Sequence, residues 1–459
     1  MRVAIKTLGC RQNQYESDAL QESLKRQGHL PVSPDEEADL CIVNTCTVTK
    51  EADADSRQMI RRAIRRNPSA RVVVTGCYAQ VAAREIASIP GVDLVAGNAE
   101  KASLVELVQG LLKGTSPLIV VGDIQRRRTF DPLPPPVEGS RSRAFLKVQD
   151  GCSYRCAFCI IPETRGPNRS QSREGAMRDL QALLDAGYPE VVLTGIHLGT
   201  YGRDLPAGSS IGALVEEMLE VAAPARIRLS SLDPHEVGDD LFGLFGRHRN
   251  FCRHLHLPVQ SGDERILRLM RRAHKAGDFR RLVERLVEAV PGIAIGTDVI
   301  VGFPGEGGPE FDNTYSLLES LPIAYLHVFS YSRRDGTAAA SMPDQVPKAV
   351  KAERSVALRS LSERKWETFR SGMVGQSLEA VVLDRRDART GHLEALTDNY
   401  IPVCLHAEQW MVGRTVDLTI ESVSGRRTLG RLRAAPSQLS SPHCPNTGAE
   451  NHVSSRESE

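Results

Sequence analysis

The chain has 459 residues, which is more than one hydrophobic core ordinarily serves, so two or three domains are expected. Apolar residues make up 41% of the chain and charged residues 25%, proportions that exclude a wholly disordered protein. The 58 basic and 57 acidic residues nearly balance, so any nucleic-acid contact must come from local basic patches.

The sequence also bears on the cellular compartment. No window approaches about 18 uninterrupted apolar residues, and the amino terminus lacks a long apolar segment. We therefore expect a cytoplasmic protein with no membrane partner. Ten cysteines are many for a reducing compartment, where disulfides are rarely stable, so metal binding or redox chemistry is the leading interpretation.

Residues 1–117 alternate short β-rich segments with segments of helical periodicity, a βαβα pattern that predicts a small parallel sheet. Three strands are predicted, in "RVAIKTL", "ADLCIVNTC" and "ARVVVTGC". A cysteine stands at the end of each strand, at Cys10, Cys46 and Cys77. Because the carboxyl ends of parallel strands lie along one edge of a sheet, these three thiols are expected to converge there.

The next segments predict a linker and a second α/β domain. Residues 118–140 combine an arginine cluster with consecutive prolines, which predicts a semi-rigid, exposed linker. Over residues 141–372, six parallel strands are predicted, in "AFLKVQ", "EVVLTGI", "RIRLSSL", "HLHLPVQ", "IAIGTDVIVGF" and "IAYLHVFSYS". They predict an open sheet or a partial barrel, since a complete eight-stranded barrel usually needs about 250 residues.

The last part of the chain changes character. Residues 373–435 contain short β-rich segments separated by Gly, Asn and Asp turns, which predicts a small β-barrel. Residues 436–459 are polar and lack periodicity, and we expect a disordered tail.

A second group of cysteines follows the first strand of the larger domain. The segment "QDGCSYRCAFCIIPETRG" contains a CxxxCxxC triplet: Cys152, Cys156 and Cys159. Three buried thiols on one helix face would have the same spacing, but Gly151, Ser153 and Pro162 favour an irregular loop. Structural zinc would need a fourth nearby ligand, and the nearest histidine in the sequence is His197. Three thiolates suit an iron–sulfur cluster with one iron left open to bind another molecule.

With this loop after the first strand, the sequence resembles the radical S-adenosylmethionine enzymes. The resemblance implies a partial (β/α)6 barrel and an open iron that chelates S-adenosylmethionine, which is then cleaved to a 5′-deoxyadenosyl radical. It implies cofactor contacts in "LTGIHLGTYG", "SSLDP" and "TDVIVGFPGE", at Gly195, Ser230, Asp233, Ile300, Gly302 and Glu306. Glycine lets backbone approach a ligand and a carboxylate accepts hydrogen bonds, although such segments are also typical of turns.

The two cysteine groups in this order, followed by a β-rich domain, resemble the methylthiotransferases over nearly the whole chain. The shared amino-terminal signature is "TLGC", "NTC" and "TGC", which end here at Cys10, Cys46 and Cys77. The resemblance implies a second [4Fe-4S] cluster on these thiols that carries the sulfur to be transferred. The alternative is that the three are small buried residues at strand ends. The remaining cysteines are assigned to no cluster: Cys41, Cys252, Cys404 and Cys444.

Three branches of this family differ in substrate. "NQYES", "LTGIHLGTYG", "RLSSLDP" and "YSRRDGTAAASMPDQVP" most resemble the branch that modifies C2 of N6-threonylcarbamoyladenosine at position 37 of tRNA. Arg11 and Gln12 depart from the Lys-Val pair common in that branch. The alternatives are isopentenyladenosine in tRNA, an aspartate of a ribosomal protein, and, in another class, a noncatalytic RNA-binding protein with structural zinc.

The expected partners are the tRNA anticodon stem-loop and a flavodoxin- or ferredoxin-like electron donor, and we expect a monomer. Residues 373–435 resemble a TRAM domain, an RNA-binding β-barrel. Its basic residues are predicted to bind phosphates, although a solvated charged edge has the same composition: Arg426, Arg427, Arg431 and Arg433. A helix predicted in "ERILRLMRRAHK" presents Arg271 and Arg272, which we expect to hold the anticodon arm.

Overall fold

In the computed structural model, the strands form three groups that follow one another along the chain. The structure describes residues 1–114, 116–138, 141–206 and 208–433. The predicted disordered tail, with Cys444, lies outside these residues. None of the helices in the described ranges is long and apolar enough to cross a membrane.

The first group is a parallel sheet of six strands in the order β2-β1-β3-β4-β5-β6. Its strands are β1 (Arg2–Thr7), β2 (Leu30–Val32), β3 (Leu40–Thr45), β4 (Arg71–Gly76), β5 (Leu94–Ala96) and β6 (Leu118–Val120). The helices are α1 (Arg11–Arg26), α2 (Lys50–Arg66), α3 (Cys77–Val81), α4 (Ala83–Ala87) and α5 (Leu104–Gln109). Both faces of the sheet carry a buried apolar cluster, so helices cover it on both sides.

The predicted parallel sheet is confirmed, with β1, β3 and β4 as its three adjacent predicted strands. The other three strands were missed because each has only three residues, too few to show periodicity. One of them, β6, lies in the predicted linker and pairs with β5. Ile124 and Leu133 are buried as well, so much of the segment expected to be exposed packs against the domains.

The second group contains the six predicted strands as a parallel set. They are β7 (Ala144–Lys147), β10 (Glu190–Thr194), β11 (Arg226–Leu229), β12 (His254–His256), β13 (Ala294–Val301) and β14 (Tyr325–Ser330). Two isolated parallel β-bridges link the segment around β11 to the segment around β12, at Ile227–Phe251 and Ser231–His256. Among the described residues β7 and β14 do not pair with each other, so the barrel is open, and the predicted partial (β/α)6 barrel is confirmed.

Helices cover this open barrel, and a small ribbon stands beside the cysteine loop. The ribbon pairs β8 (Gln149–Asp150) with β9 (Arg169–Ser170). The helices are α6 (Ile161–Arg165), α7 (Arg173–Asp185), α8 (Ile211–Ala222), α9 (Asp239–Arg247), α10 (Glu264–Leu269), α11 (Ala276–Ala289), α12 (Gly308–Ser320) and α13 (Lys348–Ser371). Helix α11 shows why they pack here, since Phe279, Val283 and Leu286 recur at helical spacing and are fully buried.

The helix predicted over 264–275 is shorter in the structure. Helix α10 ends at Leu269, and Arg271 has a φ of +59°, a conformation that a helix interior does not allow. Arg271 and Arg272 therefore lie in the turn before α11 and not on a helix face. The apolar and basic periodicity of the segment did not reveal this break.

The third group is a closed barrel of five strands, which confirms the predicted small β-barrel. Its strands are β15 (Ser377–Arg386), β16 (Leu393–Thr397), β17 (Pro402–Leu405), β18 (Thr415–Ser424) and β19 (Arg427–Leu432). It contacts the open barrel at the start of β11, where Arg226 and Arg228 donate to the carbonyl oxygens of Leu396 and Thr397, at 3.1 and 3.0 Å.

Candidate functional site

The first three cysteines meet at the carboxyl edge of the amino-terminal sheet. Cys10 precedes α1, Cys46 follows β3 and Cys77 begins α3. Burial raises the pKa of the Cys46 thiol to about 11, and the nearby thiols of Cys77 and Cys10 add to this rise. Cys46 and Cys77 are buried whereas Cys10 is exposed. The structure thus brings together three thiols that lie dozens of residues apart in the sequence.

A glycine turns the chain immediately before Cys10 and before Cys77. Gly9 and Gly76 both have a φ of +102°, a conformation that side chains other than glycine rarely adopt. A Cβ on Gly76 would also collide with the backbone of Thr45 on the neighbouring strand. The glycines of "TLGC" and "TGC" therefore serve to direct the following thiols along the sheet edge.

We expect Gly76→Ala to lower the iron bound after reconstitution and to destabilise the protein by about 2 kcal/mol more than Gly28→Ala. Gly28 is the matched control, because its φ is also positive, at +80°, but a Cβ there would meet no atom within 4 Å. Iron analysis and urea denaturation measure the two effects. Equal losses of iron and of stability in both variants would show that the close contact between residue 76 and the Thr45 backbone is unimportant.

The second three cysteines lie on a loop after β8 that contains no helix before α6, as predicted. Burial raises the pKa of the Cys159 thiol to about 12, and the neighbouring thiols of Cys156 and Cys152 add to the rise. His197 Nδ1 lies 3.2 Å from Cys152 Sγ, and Arg272 Nη1 donates to Cys156 Sγ at 3.4 Å. His197 thus contacts one of the three cysteines directly and belongs to this site.

A cavity of about 560 Å³ opens beside this loop, within the size range of small-molecule sites. Cys156, Cys159, Arg271 and Thr337 are among its lining residues. Soft thiolate ligands favour iron–sulfur clusters over hard cations, and the cavity leaves space on one side of the loop for a further ligand. The residues present thus fit a cluster that binds a small molecule.

The structure brings Ser230 and Asp233, two of the predicted cofactor contacts, near the cysteine loop. Asp233 accepts hydrogen bonds from Arg272, which also contacts Cys156, and from His235 at 2.8 Å. The Ser230 hydroxyl is buried and has no hydrogen-bond partner among the described residues. A buried unpaired hydroxyl is costly, which favours a missing ligand at this point.

The other predicted cofactor contacts have packing roles in the structure. Gly195 lies against Gln149, where a side chain would not fit. Ile300 packs against an apolar cluster that includes Phe303. The buried Glu306 carboxylate accepts from the Gly302 amide at 2.7 Å and from Arg354 at 2.6 Å. Glu306 thereby fixes the loop after β13, a role that sequence reasoning missed.

The structure separates the two arginines that were predicted to hold RNA. Arg271 lines the cavity beside the cysteine loop. The Arg272 side chain is only 8% exposed, because it is enclosed between Asp233 and Cys156. The prediction that Arg272 contacts RNA is therefore inconsistent with its burial, and its role is to position groups at the cysteine loop.

The arginines of the terminal barrel lie on its surface. Carboxylates pair with three of them, in the pairs Arg426–Glu363, Arg427–Asp387 and Arg431–Glu421. The pairs of Arg426 and Arg431 are exposed, and surface ion pairs of this kind contribute little to stability, so both arginines can exchange a carboxylate for phosphate. Arg426 and Arg427 also line a cavity of about 730 Å³ on this barrel. The Arg433 backbone N–H donates to the backbone carbonyl oxygen of Asp417.

Sequence reasoning missed Arg165, a fully buried arginine that connects the two cysteine groups. It follows the CxxxCxxC loop on α6, and its Nε donates to the Cys77 Sγ at 3.3 Å. Its guanidinium also contacts Glu16 of α1 and Asn13. Further cations surround Glu16 and Asp150: Lys101, Lys147 and Arg169. Within this network the Arg165 guanidinium places a cationic hydrogen-bond donor on the Cys77 sulfur.

Two family models match the chain. The "Uncharacterized protein family UPF0004" matches residues 2–97, and the "Radical SAM superfamily" matches residues 146–318. A solved structure of the radical S-adenosylmethionine methyltransferase TsrM from Kitasatospora setae has a TM-score of 0.53 at 15% identity, covering 74% of this chain and 77% of that one. This likeness shows the shared fold alone.

Curated relatives match nearly the whole chain. The "Threonylcarbamoyladenosine tRNA methylthiotransferase MtaB" of Bacillus subtilis is 39% identical, covering 91% of this chain and 93% of that protein. The protein of that name from Aquifex aeolicus is 40% identical, covering 88% and 96%. The "tRNA-2-methylthio-N(6)-dimethylallyladenosine synthase" of Sphingopyxis alaskensis is 33% identical, covering 93% and 96%. With its two cysteine groups and its open barrel, the chain therefore belongs to the MtaB-like methylthiotransferases of the radical S-adenosylmethionine superfamily.

Proposed function

We propose that this protein adds a methylthio group to C2 of N6-threonylcarbamoyladenosine at position 37 of tRNA, using two [4Fe-4S] clusters and two molecules of S-adenosylmethionine per turnover. The observation that carries the proposal is the pair of cysteine groups, one on the sheet edge and one on the loop of the open barrel, connected by the buried Arg165. The names of relatives up to 40% identical over most of the chain support the substrate.

Cys152, Cys156 and Cys159 would hold the cluster that binds S-adenosylmethionine, and Cys10, Cys46 and Cys77 the cluster that carries the transferred sulfur. When bound, the first cluster would supply the electron for cleavage of S-adenosylmethionine, and this chemistry would act on the C2–H bond of the adenine. This chemistry needs no conventional acid–base pair, and we assign none.

The protein's own residues would position these groups. Arg272 joins Cys156 to Asp233 and so fixes the loop against the end of β11. His197 lies between Cys152 and Glu236. Its Nδ1 is 3.2 Å from the Cys152 Sγ, and its Nε2 is 2.8 Å from Glu236 Oε2. The Ser230 hydroxyl has no hydrogen-bond partner in the described part of the chain and would form a hydrogen bond with S-adenosylmethionine. The fully buried Arg165 would orient Cys77 as a ligand, since its Nε donates to the sulfur.

The RNA would lie across the mouth of the open barrel. Arg271 at the rim of the cavity and Arg426, Arg427, Arg431 and Arg433 on the terminal barrel are proposed to contact phosphates of the anticodon stem-loop. The target base must leave its stack to reach the interior of the barrel. An external electron donor of the flavodoxin or ferredoxin class would supply the electron.

Nucleoside mass spectrometry tests the proposed substrate. A host that lacks its own enzyme is expected to gain the 2-methylthio derivative of threonylcarbamoyladenosine when it expresses this chain, but not when it expresses Cys156→Ala. A gain of only the isopentenyl derivative would instead support the second candidate, which the relative at 33% identity favours. Stoichiometric zinc without sulfide in the purified protein would contradict a radical mechanism.

A further inference from the structure

We propose that Arg11, positioned by Tyr400, binds the carboxylate of the threonylcarbamoyl group and so selects the substrate of this enzyme. The inference rests on the proposed function and extends it to a subsite that the cluster chemistry does not involve. The predicted ligand class is a carboxylate on a side chain attached to the adenine ring.

Arg11 connects the first and the last parts of the chain. It directly follows Cys10, and its Nη2 donates to the Tyr400 hydroxyl at 2.7 Å, across 389 residues of sequence. Tyr400 lies between β16 and β17 of the terminal barrel, and its ring stacks on that of His254 with 4.2 Å between the centroids. His254 belongs to β12 of the open barrel. The Arg11 guanidinium therefore lies where all three structural units meet.

Polar side chains connect this point to the cofactor end of the open barrel. His254 Nε2 lies 2.8 Å from the Tyr325 hydroxyl, and His256 Nδ1 lies 3.4 Å from the same oxygen. His256 in turn contacts Asp298 on β13 at 2.8 Å. Alternate residues of a strand share a face, so Asp298 lies on the face of Ile300, one of the predicted cofactor contacts. Contacts between side chains thus lead from Arg11, through Tyr400 and the histidines of β12, to Asp298 on β13.

Arg11 has no carboxylate partner among the described residues, and in this it differs from most of the buried arginines, Arg370 excepted. It is partly buried, and none of the carboxylates in the described part of the chain lies within 4.0 Å of it. The contrast is consistent across four buried pairs, Arg165–Glu16, Arg228–Glu190, Arg272–Asp233 and Arg354–Glu306. A partly desolvated guanidinium without a counter-charge favours an anionic ligand.

The neighbouring histidine does not compete for that anion. Burial, together with the guanidinium groups of Arg228 and Arg11, holds the pKa of His254 well below its ordinary value, so this imidazole is neutral. Its Nδ1 is buried and has no hydrogen-bond partner among the described residues. A buried polar atom without a hydrogen-bond partner, beside a cation without a carboxylate, favours a site that is completed by a polar ligand.

The chemistry of the substrate fits this arrangement. The threonylcarbamoyl group on N6 ends in a carboxylate, which a guanidinium binds with two parallel hydrogen bonds. The isopentenyl group is apolar and offers nothing to Arg11. The threonylcarbamoyl group is attached through N6 to C6 of the adenine, and C2 and C6 flank the same ring nitrogen. A carboxylate held beside Cys10 therefore keeps C2 on the side of the sulfur-carrying cysteines. The His327 side chain is 56% exposed, which leaves an open side of the barrel near β14 for entry of the base.

Binding of anticodon stem-loops to the reconstituted enzyme tests the inference. Fluorescence anisotropy would compare stem-loops that carry threonylcarbamoyladenosine, isopentenyladenosine or unmodified adenosine at position 37. We expect Arg11→Met to weaken binding of the first by about tenfold to a hundredfold and to leave the other two unchanged, as for loss of a charge-assisted hydrogen bond. Arg11→Lys should retain part of the affinity, because it keeps the charge.

The controls separate this inference from the proposed function. Arg280→Met removes an exposed arginine on α11 and should change none of the three affinities. If Arg11→Met weakens all three stem-loops equally, or weakens none, Arg11 does not bind the carboxylate. If the unaltered enzyme fails to methylthiolate the threonylcarbamoyl stem-loop, the proposed function itself is wrong. Cluster absorbance and circular dichroism of each variant check that it is folded and loaded.

Discussion

Joint replacement of Cys10, Cys46 and Cys77 by alanine is expected to halve the bound iron, from about eight to about four atoms per chain, and to abolish methylthiolation. Release of 5′-deoxyadenosine should continue, because the three cysteines on the barrel loop stay intact. Replacement of Cys152, Cys156 and Cys159 should instead abolish both the release of 5′-deoxyadenosine and the transfer. Iron and sulfide analysis with chromatography of the nucleosides measures all three quantities.

Two single variants serve as matched controls. Cys41 is buried in β3 of the same sheet and Cys404 is buried in the terminal barrel, and neither belongs to a cysteine group. Cys41→Ala and Cys404→Ala should therefore keep the full iron content. Loss of all iron from the Cys10, Cys46 and Cys77 variant would show that the two groups do not hold separate clusters.

Replacement of Glu190 by glutamine is expected to destabilise the protein by about 3–5 kcal/mol, because it leaves buried cations without a counter-charge. The Glu190 carboxylate is fully buried and accepts from Arg226 Nη2 at 2.6 Å, Arg228 Nε at 2.8 Å and Arg143 Nη1 at 2.8 Å. Arg226 and Arg228 also hold the terminal barrel, so the variant should loosen its contact with the open barrel. Urea denaturation gives the free energy of unfolding.

The stability conferred by Glu190 should also depend on pH. Burial alone would raise its pKa, but the guanidinium groups of Arg228 and Arg226 hold it well below the ordinary value. The stability that the Glu190 carboxylate confers is therefore fully present above the pKa of an unfolded glutamate, about 4.3. It is lost as the pH falls from there towards the lower pKa that Glu190 has in the folded protein. Glu190→Gln should lack this loss at low pH.

Glu284→Gln is the control for Glu190→Gln. Glu284 forms an exposed pair with Arg280, one turn away on α11, at 3.5 Å. Such pairs contribute about 0.3–0.5 kcal/mol, so this variant should unfold almost as the unaltered protein does. Similar losses in the two variants would contradict the importance that we give to the buried carboxylate.

Much of the fold could be predicted from local patterns. Strand and helix periodicity placed the six strands of the open barrel and the three longer strands of the first sheet, since each lies in a β-rich segment of six or more residues. The six grouped cysteines were identifiable from the strand ends at which three of them stand, from the CxxxCxxC spacing of the other three and from the family signature. The short strands β2, β5 and β6 were not, because three residues do not establish a period.

The contacts that connect the domains could not be predicted in this way. Arg165 meets Glu16 across 149 residues, and Arg11 meets Tyr400 across 389. Arg272 follows Arg271 directly in the sequence, yet only Arg272 is enclosed, because the chain turns between α10 and α11. Periodicity reports which face of an element is buried but not which distant charge meets it. The sequence by itself therefore determined the elements and the two cysteine groups, whereas the tertiary structure decided which arginines are paired with carboxylates and placed Arg11 beside Tyr400 without one.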